Sequence, residues 1–292
     1  MGINMRKSYI GTFLACFALC SAACHASGSP LSAGYTYADD SDGIKTYSYK
    51  LSTAAEGRPF SLDLYRTRIR QNQTDLTETT VIAKAQRALS DHETLTLWGG
   101  YSKNEMRHFV PAALMYNSRQ GDNSLWLSAG REAVGTVEAS RDHIYYNTLS
   151  ASYMHRVGEG KLLLEAAQYN YSDDNQRHRY SLTYSQEINP RLKAGLRYGY
   201  DSADSTRPGK YYVPQDERVL SIVPEWTIPI NSRSKWLITG EISLSAHDST
   251  GSIRRHGAEV GLMVDSLYVG TKYYRSGDYW SRVWRLSYTL TI

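Results

Sequence analysis

Eight histidines, His25, His92, His108, His143, His155, His178, His247 and His256, are the first residues to weigh for chemistry in this chain. A hydrolytic metal centre needs them in an HExxH or similar ligand spacing beside a cysteine or an acid, and none has it. Serine and aspartate are abundant, so a Ser/His/Asp arrangement can be drawn across strands in many ways and none stands out. Arg177-His178-Arg179 after Asp173-Asp174 could hold a sugar or a lipid phosphate, although a charge run at a strand mouth is ordinarily a solvated loop. The pairs Tyr145-Tyr146, Tyr211-Tyr212 and Tyr273-Tyr274 could stack on sugar rings, and they read more readily as interfacial aromatics. These residues converge on no catalytic set, so no enzyme activity is expected and no cofactor or metal is implied.

The elements that carry these residues follow a period of two. From Leu31 onward, apolar or aromatic residues alternate with polar ones, as in strands whose two faces meet different solvents. The clearest run sets Trp284, Leu286, Tyr288, Leu290 and Ile292 against Arg285, Ser287, Thr289 and Thr291. Similar runs cover Leu192 to Tyr200, Trp236 to Leu244, Tyr180 to Ile188, Leu220 to Ile230, Phe60 to Leu64 and Leu95 to Tyr101. A tilted strand of about ten residues crosses a bilayer core, and charges confined to one face suit a wet lumen behind a lipid-facing wall. A transmembrane antiparallel β-barrel of about 16 strands, with 14 or 12 possible, is therefore the expected all-β fold.

Joints such as Asp39 to Gly43, Gln120 to Asn123, Gly158 to Gly160, Ser172 to Asn175 and Asn189-Pro190 read as turns. Longer loops are expected at Asp201 to Val213 and Ala246 to His256, on one side of the membrane. The segments Thr74 to Val81 and Val134 to Arg141 alternate weakly and leave the strand count open. A soluble β-sandwich or propeller would also alternate, but its strands favour Val, Ile and Phe. Here there are 24 tyrosines and only 4 phenylalanines, with Tyr and Trp near segment ends.

Residues 1–26 read as a signal peptide and residues 27–292 as the barrel. Arg6 and Lys7 precede the apolar run Tyr9 to Ala23, which is shorter than the roughly 20 residues of a membrane helix. Cleavage after Ala26 and lipidation at Cys24 both fit the leader. All three cysteines, Cys16, Cys20 and Cys24, lie there, so no disulfide framework is expected. The formal charge of +4 loses Arg6 and Lys7 with the leader, which is too little and too evenly spread for nucleic-acid binding. The mean hydropathy of −0.49 excludes a helical membrane protein. The expected location is the outer membrane of a Gram-negative cell, among outer-membrane lipid, with the terminal strand read by the barrel-assembly machinery. Such strands usually end on Phe, where this sequence has Ile292.

Alternation assigns Asp63, Glu187, Lys193, Arg197, Glu225, Glu241 and Arg285 to the lumen. Both signs are present, so a hydrated bore with weak charge selection and a neutral or mixed cargo is expected.

The stretch from Ser172 to Ile230, above all Tyr211-Tyr212-Val213-Pro214-Gln215 ahead of a strand, resembles the C-terminal barrel of bacterial exopolysaccharide exporters. That family includes the cellulose-synthase operon outer-membrane subunit and the poly-N-acetylglucosamine export porin. The close resemblance covers about a fifth of the chain. It implies a pore exporting a polysaccharide together with periplasmic export components. The family's tetratricopeptide array would show as a period of about 34 residues, and no such period is found in this sequence. That puts in doubt any direct docking to a synthase. The chain also resembles, more loosely, a small stand-alone barrel family found beside such exporters. A barrel enzyme acting on envelope lipid or sugar, and a structural barrel with a plugged lumen, are the rival readings.

Overall fold

The structure, a computed structural model, describes residues 31–53, 59–71, 73–205, 210–211, 213–214, 216–247, 251–276 and 278–290. The leader with Cys24 and Ala26, and the terminal Ile292, lie outside the described residues. Period-two alternation has become one sheet closed on itself. Its strands are β1 (Leu31–Asp40), β2 (Lys45–Ser52), β3 (Phe60–Gln71), β4 (Thr74–Ser90), β5 (Glu93–Lys103), β6 (His108–Phe109), β7 (Ala112–Gln120) and β8 (Asn123–Ala133). After the short helix α1 (Val137–Arg141) come β9 (Tyr145–Val157), β10 (Gly160–Tyr171), β11 (Gln176–Asn189), β12 (Leu192–Ala203) and β13 (Glu217–Pro229). Then follow β14 (Ser234–His247), β15 (Gly251–Val264), β16 (Leu267–Ser276) and β17 (Tyr279–Leu290).

Apart from β6, each strand pairs antiparallel with the strands next to it in sequence, β5 with β7 included, and β1 also pairs with β17, from Leu31 opposite Leu290 to Asp40 opposite Ser281. β6 pairs only with the end of β5, so the closed wall has 16 strands. Among the described residues, closure leaves no edge strand with unpaired backbone groups, which is the condition for crossing hydrocarbon.

Both ends of the wall seam, Leu31 and Leu290, lie at the rim of tight connections such as Gly121-Asp122 and Gly158-Glu159. Gly121 (φ 57°) and Gly158 (φ 60°) supply the left-handed backbone that these turns require. The opposite rim carries the longer segments 104–111, 134–144 and 204–216.

One expectation is corrected here, and the two segments of weak alternation are settled. Ala246 to His256 is not a long loop, because β14 runs to His247 and β15 starts at Gly251. The weak pattern from Thr74 belongs to one strand of 17 residues. Val134 to Arg141 is no strand but a loop that ends in α1.

Large apolar side chains stay exposed around the whole outer wall, among them Leu97, Leu149, Leu182, Leu196, Ile222, Ile242 and Leu286. A continuous apolar belt of this extent needs lipid rather than water as its solvent. Apart from Leu31 and Leu51 near the tight-turn rim, the buried apolar residues lie instead at the long-loop mouth.

Candidate functional site

The register fixes the inner face. Along β17, Trp284, Leu286 and Tyr288 share the outer wall, which turns Arg285 and Ser287 inward, and pairing carries the same parity around the sheet. By that parity Asp63, Glu187, Lys193, Arg197, Glu225, Glu241 and Arg285 all stand on the inner face.

Most of them meet a partner of opposite sign there. Lys193 lies 3.3 Å from Glu225, Arg197 lies 3.8 Å from Glu241, and Arg285 lies 3.2 Å from Glu259. Glu187 is opposite Lys193 in the register. Asp63 is the most enclosed. It is fully buried, 2.6 Å from Lys84 and 3.5 Å from Lys50, and it accepts hydrogen bonds from Ser52 and Tyr65. Sequence reasoning did not single out Lys50, Lys84 or Glu259. None of the three is directly opposite its partner in the register, and their approach to Asp63 and Arg285 is made by side chains reaching diagonally or across a strand of the folded wall.

The wall from β5 to β9 is different. Thr94, Thr96, Met115, Asn117, Trp126, Ser128, Ser150 and Ser152 face inward and line a cavity of about 570 Å³. Asp91, His92 and Arg119 stand at its end by the tight-turn rim. Ser128 and Ser150 hydrogen-bond each other at 2.7 Å. Uncharged hydroxyl and amide groups around one indole form a surface that can hydrogen-bond and stack on a neutral sugar.

The long-loop mouth is spanned. α1 leaves between β8 and β9, capped by Thr136, whose hydroxyl accepts from the Ala139 N–H at 3.1 Å. Val137 packs with Ile69 of β3 and Leu76 of β4, while Ala139 joins a cluster of Val134, Ile144, Tyr171, Ala203, Tyr211 and Val213. The helix thus connects β3–β4 with β10 and β12, on well-separated parts of the wall.

Arg107 anchors this bar. It is buried, and it donates to the carbonyls of Val134 (2.9 Å) and Ile144 (3.1 Å) and to Glu78 of β4 (3.4 Å). Burial lowers its pKa, and the Glu78 carboxylate opposes that shift. The segment after β12 is tied in as well. Thr136 donates to the Lys210 carbonyl, the Lys210 ammonium lies 2.6 Å from Asp142, and the Tyr211 ring stacks on Tyr171 at 4.5 Å. Lys210 holds the Asp142 carboxyl below the usual carboxylate range. Asn175, buried in the turn before β11, donates to the Ser205 carbonyl and accepts from its N–H.

Two further expectations change. Arg177-His178-Arg179 is not a loop site, because all three residues lie in β11 with alternate side chains on opposite faces. Arg177 points inward to a bidentate pair with Asp201 (2.7 and 2.5 Å) and lies over the Tyr169 ring. Among the interfacial tyrosines, Tyr146 and Tyr211 turn into the mouth clusters, whereas Tyr273 stays on the outer wall. The described histidines are dispersed: His108 bonds Tyr101, His155 bonds Asn123, and His92 and His143 stand at opposite rims.

A closed wall of 16 strands, a paired inner face and a bar across one mouth can now be set beside known structures. The chain is similar to a bacterial polysaccharide outer membrane secretin, with a TM-score of 0.71 over 90% of this chain and 98% of that one, at 13% identity. The fold is that of outer-membrane barrels. CdiB from Escherichia coli aligns at a TM-score of 0.60 and 10% identity, over 89% of this chain and 63% of that one. OccK3 (OpdO) of Pseudomonas aeruginosa aligns at 0.53 and 10% identity, over 90% of this chain and 95% of that one. No family model matches the sequence, and a search of curated protein sequences finds no match.

Proposed function

We propose that this chain is an outer-membrane channel that passes a hydrophilic polymer, an exopolysaccharide, without a catalytic step. The observation that carries this reading is the uncharged strip of Thr94, Thr96, Asn117, Ser128, Ser150 and Ser152 around Trp126. It faces a bore whose remaining inner wall is largely ion-paired. Paired charges hydrate the lumen without gripping an ionic cargo, and the strip offers a sugar chain hydrogen bonds and one stacking platform. The likeness to a polysaccharide secretin agrees with it. Periplasmic export components would deliver the polymer, and the terminal strand β17 would engage the barrel-assembly machinery.

The test is single-channel conductance of the refolded mature chain, with and without a neutral oligosaccharide. A steady conductance blocked by the sugar is expected, and Trp126→Ala should weaken the block about tenfold, the worth of one stacked ring at about 1.4 kcal/mol. The proposal fails if the conductance is indifferent to sugar, or if a deletion strain exports its surface polysaccharide unchanged. The bar across the mouth favours a second reading, a closed structural barrel, and a folded but silent protein would establish it.

A further inference from the structure

The outer wall carries one feature that a lipid-facing surface does not explain. On β3 the outward positions run Phe60, Leu62, Leu64 and then Arg66, Arg68 and Arg70, three guanidinium groups in a single column toward the long-loop rim. At about 3.3 Å per residue the column spans about 13 Å. Lys45 of β2 is opposite Arg70, and Lys103 of β5 is level with Arg66 across Thr79 of β4. Tyr47 and Tyr49, outward on β2, flank the column on one side, and Thr77 and Thr79 of β4 flank it on the other. Asp75, 2.5 Å from Arg68, is the one acid on the described outer faces of β2 to β5 from Arg66 to the rim. On these strands five cations therefore stand with one carboxylate, while Asp39 of β1, opposite Lys45, is already paired with Arg282 at 2.7 Å.

Arginine on a lipid-facing wall is costly in hydrocarbon and tolerable at the interface, where phosphate offers a planar guanidinium two parallel hydrogen bonds. The long-loop rim, opposite Leu31 and Leu290, is the rim that outer-membrane barrels present to the cell exterior. We infer that the β2–β5 outer face is a binding site for the phosphate groups of an outer-leaflet glycolipid. Arg66, Arg68 and Arg70 hold the phosphates, Lys45 and Lys103 add charge, and the Tyr47 and Tyr49 phenols meet the sugar headgroup. The inference rests on the outer-membrane placement proposed above.

The refolded full barrel in mixed micelles would be incubated with a diphosphorylated disaccharide glycolipid, its dephosphorylated form, phosphatidylglycerol or inorganic phosphate, and retained ligand quantified by native mass spectrometry. At least tenfold preference for the diphosphorylated glycolipid over both other lipids is expected. Combined Arg66→Gln, Arg68→Gln and Arg70→Gln should abolish that preference, while Arg131→Gln with Arg218→Gln, elsewhere on the outer wall, should leave it intact. Heat-modifiable gel mobility and conductance report folding, and the triple variant is expected to leave both unchanged. Equal retention of the dephosphorylated form or of phosphatidylglycerol would overturn the site, as would a triple variant that folds and binds as before. Displacement of the glycolipid by millimolar inorganic phosphate would overturn its assignment to lipid. A silent barrel that still shows the arginine-dependent preference would defeat the channel reading and uphold this one.

Discussion

Arg107 does at one point what an apolar side chain could not. Its planar fork reaches two carbonyls at the two ends of the α1 loop and a carboxylate on the wall, so one side chain fixes loop to strand. Arg107→Ala should cost that loop roughly 2–4 kcal/mol of local stability, from two or three lost charge-assisted hydrogen bonds. Amide exchange at Ser140, Asp142 and Ile144, whose N–H groups bond within the loop, would show it as lost protection. Lysine, a point charge, should restore little of it. Asp142 makes the same mouth sensitive to acid. Its carboxyl is held low in the folded state, chiefly by the Lys210 hydrogen bond, so this contribution is present above the usual carboxylate range and disappears as pH falls through the lowered value. Mouth conductance should therefore rise on strong acidification, and Asp142→Asn should remove the step. Deeper in the bore, Asp63→Ala removes the buried carboxylate that Lys50 and Lys84 share. Because both lysines are partly exposed to the wet bore, a loss of about 1–3 kcal/mol in urea unfolding is expected, chiefly from the hydrogen bonds of Ser52 and Tyr65, and Asp63→Asn should lose less by retaining them.

Among the elements, the strands were legible wherever the outer face is apolar without interruption. β12, β14 and β17 from Trp284 onward are such cases, and alternation there also placed Lys193, Arg197, Glu241 and Arg285 on the inner face. β3 shows why the reading stopped short elsewhere. Arg66, Arg68 and Arg70 occupy outward positions, so the apolar pattern ends at Leu64 although the strand continues to Gln71. β4 presents Ala83, Ala85, Thr77 and Thr79 outward, too little contrast for alternation to register. α1 was beyond reach for another reason. Five residues cannot sustain a helical period, and its stability comes from contacts with β3 and β4 that lie far off in sequence. Replacing residues 135–143 by a short turn should leave the wall folded and raise the conductance severalfold, as planar-bilayer recording would report.

For the whole molecule, the balance of signs matters more than any single charge. The inner wall sets Lys50 and Lys84 against Asp63, Lys193 against Glu225 and Arg285 against Glu259, so the bore as a whole should discriminate little between small cations and anions. Lys50→Gln with Lys84→Gln leaves Asp63 unmatched and should shift the reversal potential in a salt gradient toward cation preference. The glycolipid site and the channel lie on opposite faces of the same strands, since β3 carries Asp63 inward and Arg66 outward. The bar formed by α1 also has a mechanical meaning. A cylinder one strand thick is easily squeezed into an ellipse, and a strut fastened by apolar contacts to separated parts of its rim resists that deformation. The mouth should therefore keep a fixed cross-section against lateral membrane pressure, and widen only in abrupt steps, when one end of the strut detaches.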